Sequence, residues 1–144
     1  MAPEFEISTD PARLDIEVIC GFLRHSYWAE RRKRSVIERS LRNSLCFGVY
    51  TPAGRQVAFA RVVSDRAVFA YLMDVYVDPE FRGRGISKAL LRAILDHPDL
   101  QALRVFLLGT RDAHGLYAQF GFQPLSEPNL WMAIHDPDSD ERAV

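Results

Sequence analysis

The segment RGRGISK, Arg82 to Lys88, joins a strand-like run, Val68 to Val77, to a helix-like run with Leu90, Leu91, Ile94 and Leu95 on one face. Its two glycines free the backbone to curl closely around a guest. The helix behind them offers unpaired N–H groups and a positive dipole end, so the segment suits an anion. Arg82, Arg84 and Lys88 add positive charge. The helix stops at His97-Pro98, and an apolar run from Arg104 to Leu108 follows. Strand, crossover helix and strand form one βαβ unit, whose two strands must run parallel. Two nucleotide-binding patterns are excluded by spacing. A dinucleotide fingerprint needs a third glycine where Lys88 stands, and the G-x-x-x-x-G-K-[ST] loop is absent.

The rest of the chain supplies partners for this unit. Asp10-Pro11 reads as a cap and first turn of a helix that directs Leu14, Val18, Ile19, Phe22 and Leu23 inward and ends near His25. A second amphipathic helix is expected from Ala29 to Asn43, after an aromatic corner at Tyr27 and Trp28. The period then shortens to that of strands, over Cys46 to Thr51, Gln56 to Val63 and Val68 to Val77, an antiparallel meander. A short helix from Ala113 to Phe120 and a closing strand from Trp131 to Ile134 complete a mixed α+β pattern.

The 144 residues allow one domain, expected over 1–135, with an acidic and disordered tail over 136–144. The net charge of −1 hides a basic run, Arg31 to Arg42, and the acids of the tail. The basic run reads as the solvated face of a helix, and no nucleic-acid partner is expected. Cys20 and Cys46 lack both C-x-x-C spacing and companion ligands, so no metal is expected. No run approaches the roughly 18 apolar residues of a membrane span, and no membrane partner and a cytoplasmic location are expected.

The stretch YLMDVYVDPEFRGRGISKALLRAIL, Tyr71 to Leu95, resembles the acetyl-CoA-binding motif of the GNAT acetyltransferase superfamily, R/Q-x-x-G-x-G/A, with Arg82, Gly85 and Ser87 at the motif positions. A second stretch, TRDAHGLYAQFGF from Thr110 to Phe122, resembles the A-x-x-L-Y-x-x-x-G-F signature of the same superfamily through Ala113, Leu116, Tyr117, Gly121 and Phe122. Ser87 and Thr110 depart from the usual glycine or alanine and asparagine.

The resemblance implies an α+β GNAT fold: a mostly antiparallel twisted sheet, splayed between two parallel middle strands and flanked by about four helices. It implies acetyl-CoA as co-substrate and an amine as acceptor, a small molecule being favoured. Val75, Tyr76 and Val77 would pair with the pantetheine arm, a backbone N–H near Val75 would face the thioester oxygen, and Thr110 would lie along the arm. Amides of Gly83, Arg84, Gly85, Ile86, Ser87 and Lys88, with Arg82, would hold the pyrophosphate. Tyr117 would be the general acid, and Tyr27 and Trp28 would wall the acceptor site. Asp74, a lone carboxylate between Met73 and Val75, is a candidate general base, with a structural hydrogen bond as its other reading. A non-catalytic acyl-CoA binder or sensor is the alternative function. A monomer or a homodimer fits equally.

Overall fold

The computed structural model describes residues 4–142. One five-stranded sheet runs in the order β1 (Glu6–Ser8), β2 (Leu45–Tyr50), β3 (Gln56–Ser64), β4 (Phe69–Val77) and β5 (Val105–Leu108). All neighbours are antiparallel except β4 and β5, which pair in parallel from Phe69↔Val105 to Leu72↔Leu108. The helix between them, α3 (Ile86–Asp96), makes the expected βαβ crossover.

Helices cover both faces of the sheet. On one face α3 buries Ile86, Leu90, Leu91 and Ile94 against Phe47, Val49, Val57, Ala60 and Val62. On the other, α1 (Ile16–Arg24) and α2 (Arg34–Arg42) bring Ile19, Phe22, Leu23 and Ile37 onto Cys46, Phe59 and Tyr76. All six residues of β2 are therefore buried, as are the first seven of β3, the continuous burial of strands covered twice. In β4 the burial alternates along the whole strand, with Ala70, Leu72, Asp74 and Tyr76 buried and Tyr71, Met73 and Val75 between them partly exposed.

Several boundaries differ from the expectations, each for a local reason. Asp10 caps only a single 3-10 turn, Pro11–Arg13, while Asp15 accepts from the Val18 N–H and starts α1. The Asp15 N–H is itself satisfied by the side chain of buried Gln56 at 2.8 Å. The second helix starts at Arg34 instead of Ala29, because the chain from Ser26 to Lys33 is held by side chains: Ser26 Oγ donates to Leu23 and accepts from the Ala29 N–H, and Trp28 and Arg32 reach across to Asp74. Glu6–Ser8, without strand-like alternation of its own, becomes a strand by lying along β2.

The C-terminal part departs most. The expected helix over Ala113–Phe120 shortens to α4 (His114–Ala118), and Trp131–Ile134 pairs with no strand. Four residues hold strand geometry only when a neighbour supplies the hydrogen bonds. Met132 and Ile134 are fully exposed, and β5 ends the sheet among the described residues. Within the tail, expected to lack order, Ser139–Arg142 forms one helical turn, α5, which Arg31 meets through Glu141 at 2.6 Å.

If Asp15 is the true start of α1, Asp15→Ala lowers the unfolding free energy by about 1 kcal/mol in urea denaturation, while Asp10→Ala costs clearly less.

Candidate active site

Beyond Leu72 and Leu108 the parallel strands part company. β4 continues to Val77, whereas the chain after β5 turns away through Gly109 and Thr110. The Asp78 N–H donates to Val57 O on β3 at 2.9 Å, so strand alternation aims the N–H groups of Val75 and Val77 to the other side, where β5 is gone. These are backbone donors of a sheet position left open.

The opening follows a bulge. Phe59 faces Tyr76 and Arg61 faces Met73, so Ala60 alone opposes both Asp74 and Val75. Asp74 adopts φ 56°, a left-handed conformation that aspartate tolerates better than branched or bulky residues. Its carboxylate, with the side chain only 1% exposed, turns inward. Oδ1 accepts from Trp28 Nε1 at 2.9 Å, Oδ2 accepts from Arg61 Nε at 2.9 Å, and Arg32 Nη1 donates to both at 3.3 and 3.2 Å. With both oxygens engaged by two cations and an indole, Asp74 is not placed to accept a proton from a substrate. The general-base reading gives way to the structural one: Asp74 ties the α1–α2 connection and β3 to the bulge.

Two cavities meet at the opening. One, about 420 Å³, is lined by Ser26 to Trp28, Val75 to Val77, Phe81, Arg82, Gly83, Gly85, Ile86, Ser87 and Tyr117. The other, about 890 Å³, runs along Tyr71 to Val75 and includes Tyr27, Trp28, Arg32, Thr110, Arg111 and Tyr117. Tyr27, Trp28, Val75, Asp112, Ala113 and Tyr117 border both.

Most of the residues singled out in the sequence thus come together. Gly83 and Gly85 take φ of 78° and 77°, and Gly85 caps α3 in the left-handed region, which opens the helix start toward the smaller cavity. Arg82 donates through Nε to Val77 O at 3.0 Å and lies over the Tyr76 ring, fastening the loop to the end of β4. Arg84 instead covers Phe81, and Lys88 stands exposed outside the lining of either cavity. Thr110 Oγ1 accepts from the Ala113 N–H at 3.1 Å and shapes the turn into α4. His25 Nδ1 donates to Gly21 O at 2.8 Å and serves α1 as a cap.

Tyr117 faces the junction of the cavities from α4. Burial pushes its hydroxyl pKa up, and the nearby Tyr27 and Asp112 push the same way, so it keeps its proton through neutral pH. Tyr27 accepts from the Arg111 N–H at 3.1 Å, and the Arg111 guanidinium lies 3.7 Å from its ring centroid. Arg32, Arg111 and Asp112 were not singled out as site residues. Asp112 and Arg111 do stand inside the second motif, between Thr110 and Ala113, which is the signal available for them. Among the described residues no group of three or more His, Cys, Asp or Glu side chains could hold a metal ion.

Two variants test this geometry. Asp74→Asn keeps a residue suited to the left-handed bulge but removes the charge between two guanidiniums. Asp74→Ala removes the acceptor altogether and costs about 3–5 kcal/mol in chemical denaturation, with Asp74→Asn intermediate.

The residues 42–124 match the family model described as the acetyltransferase (GNAT) domain. A chain from Xanthomonas campestris pv. campestris, assigned to the GNAT family and solved by crystallography, is 51% identical, with a TM-score of 0.91 over 94% of this chain and 95% of that one. A Gibberella zeae protein assigned as an acetyltransferase is 29% identical over 147 residues, covering 86% of this chain and 82% of its own length. The fold is shared with an acetyltransferase of Clostridium acetobutylicum solved with acetyl-CoA, at 15% identity and a TM-score of 0.65 over 91% of this chain and 94% of that one. The helix start, the open strand and the shielded tyrosine thus stand in a chain that belongs to the GNAT acetyltransferase family, an acyltransferase by descent and by fold.

Proposed function

We propose that this enzyme transfers an acetyl group from acetyl-CoA to a primary amine, directly and without an acyl-enzyme. The observation that carries the reading is the meeting of the two cavities at Val75 and Tyr117. The smaller cavity fits the cofactor: it joins glycine-relaxed amides at the start of α3, with Arg82 beside them, to the Val75 and Val77 N–H groups on the open side of β4. The Clostridium neighbour solved with acetyl-CoA supports the same choice. When bound, acetyl-CoA supplies the activated acetyl thioester.

The protein's own groups then divide the work. The Val75 N–H lies where it can stabilise negative charge on the carbonyl oxygen as the amine adds, a contribution of about 100- to 1,000-fold for one such donor. Trp28, held by Asp74, and Tyr27, held by Arg111, wall the approach of the acceptor. Asp112 borders both cavities and is exposed, so its carboxylate can hold the ammonium at the junction while water carries the proton to solvent. Tyr117 retains its proton until a thiolate leaves and then donates it to the sulfur.

Tyr117→Phe should therefore lower kcat by about 100-fold or more while leaving the acetyl-CoA affinity nearly unchanged, provided chemistry limits the rate. The sign of the pH dependence follows from the shift. An acid must be protonated, so its loss on raising the pH begins only above the ordinary tyrosine value of about 10, because burial moves the group upward. A rate that falls below pH 9 and stops falling in Tyr117→Phe would place a lower pKa on this residue and overturn the assignment of the shift.

Binding is checked first by thermal unfolding with acetyl-CoA, CoA and ATP. Acetyl-CoA at about 100 times its Kd adds about 2.7 kcal/mol of stability, several degrees in Tm for a domain of this size. Stabilisation by acetyl-CoA without thiol release in the presence of any amine would favour the acyl-CoA sensor instead.

A further inference from the structure

Two guanidiniums converge on Asp74, which neutralises only one of them. Arg61 is turned wholly inward: its side chain is 7% exposed, Nη1 donates to Ser44 Oγ and Nη2 lies against Met73 Sδ. Arg32 differs. A single nitrogen, Nη1, bridges both oxygens of Asp74, and no hydrogen bond from its Nε or Nη2 is found among the described residues. Its side chain, 16% exposed, forms part of the wall of the larger cavity.

Within the Asp74 cluster one positive charge is therefore left over, at a half-buried position where screening by water is reduced. Arg111 adds a second cation to the same wall, stacked on Tyr27. A guanidinium held at one nitrogen keeps its remaining donors as a planar fork, which matches the oxygens of a carboxylate or phosphate. Because Asp74 already fixes Arg32, little side-chain freedom is lost when such a group arrives.

Carboxylates also reach this cavity, from Asp112, Asp136 and Asp140. Asp136 is paired with Arg142, and that contact holds its pKa below the usual range. Asp112 stands at the junction with the smaller cavity, near the reacting end, where it faces an ammonium to be acetylated. The wall thus carries positive charge at Arg32 and Arg111 and negative charge at Asp112, at the junction, and at Asp136 and Asp140, of which Asp136 is paired with Arg142.

We propose that the acceptor is an amine carrying its own anionic group, a carboxylate or a phosphate, which Arg32 binds while the amine faces Val75 and Tyr117. This rests on the acetyl-transfer reading above and names its substrate class.

The experiment compares matched acceptors with the full chain and acetyl-CoA, following thiol release. 4-Aminobutanoate is set against butylamine, 2-aminoethyl phosphate against ethanolamine, and spermidine serves as a cationic control. The anionic member of at least one pair is expected to exceed its neutral partner in kcat/KM by about 10- to 100-fold, the worth of one hydrogen-bonded charge. Which pair shows the difference distinguishes carboxylate from phosphate.

In Arg32→Gln that ratio is expected to fall towards one, mainly through KM for the anionic acceptor, and Arg32→Lys, which keeps the charge without the fork, lies between. The ratio is insensitive to the fraction of folded enzyme, and Arg111→Gln provides a second variant at an exposed position if Arg32→Gln does not fold. Equal rates within both pairs, a preference for spermidine, or a ratio unmoved by both substitutions overturns the proposal. So does acetyl-CoA binding with no member of the panel acetylated, whereas absence of acetyl-CoA binding overturns the underlying acetyl-transfer reading itself.

Discussion

The bulge at Asp74 is the constraint on which the rest of the site depends. Placing two residues of β4 opposite one of β3 turns the strand locally and aims Val75 into the gap beyond β5. A left-handed aspartate would be an awkward choice unless its side chain were needed, and here it is the common acceptor for Trp28, Arg32 and Arg61. Buried ion pairs are weak sources of net stability, because desolvation offsets most of the attraction. Their value here is in register. A slip of one residue in β4 would carry Asp74 to the opposite face, away from all three partners, and would leave two guanidiniums without a counter-charge.

The same arrangement links parts of the chain that are distant in sequence. The connection after α1 lines both cavities, β3 lies in the middle of the sheet, and β4 carries the open-side N–H groups of Val75 and Val77, yet one carboxylate fixes all of them. Site geometry is therefore set by the core of the domain and not by loop conformation alone, which is how a chain of this size can hold several donors in place at once. The two cavities open at the carboxyl ends of the parallel strands, where a missing strand leaves backbone groups for a ligand to satisfy.

How far this was legible in the sequence varies with the range of the interaction. RGRGISK could be read because its glycines, its charges and the helix start are all local, and Tyr117 because its motif is short and contiguous. The βαβ crossover followed from the order of apolar periods. Asp74 could be flagged as an unusual carboxylate in a strand, but its role depends on Arg32 and Arg61, 42 and 13 residues away. Nothing local to Asp74 reveals them. The same limit applies to Arg32, which its run of basic neighbours presents as one more solvent-facing charge. It applies also to the start of α2, delayed because the preceding residues are held by tertiary contacts in place of helical ones. Trp131–Ile134 shows the converse: a pattern with strand character remains extended chain when no edge accepts it.

That unaccepted segment has a bearing on how the molecule behaves among its own kind. Among the described residues β5 has no partner on its outer edge, beside a groove of about 890 Å³ lined by Phe106, Phe120, Phe122 and Leu125, and Leu130, Trp131, Met132 and Ile134 stand exposed nearby in the sequence. A free strand edge next to apolar surface is a template for further strands. With a net charge of only −1, long-range repulsion does little to keep two such surfaces apart. The opposite edge of the sheet, β1, is only three residues long and offers a shorter template than the flank that carries β5 and its apolar groove.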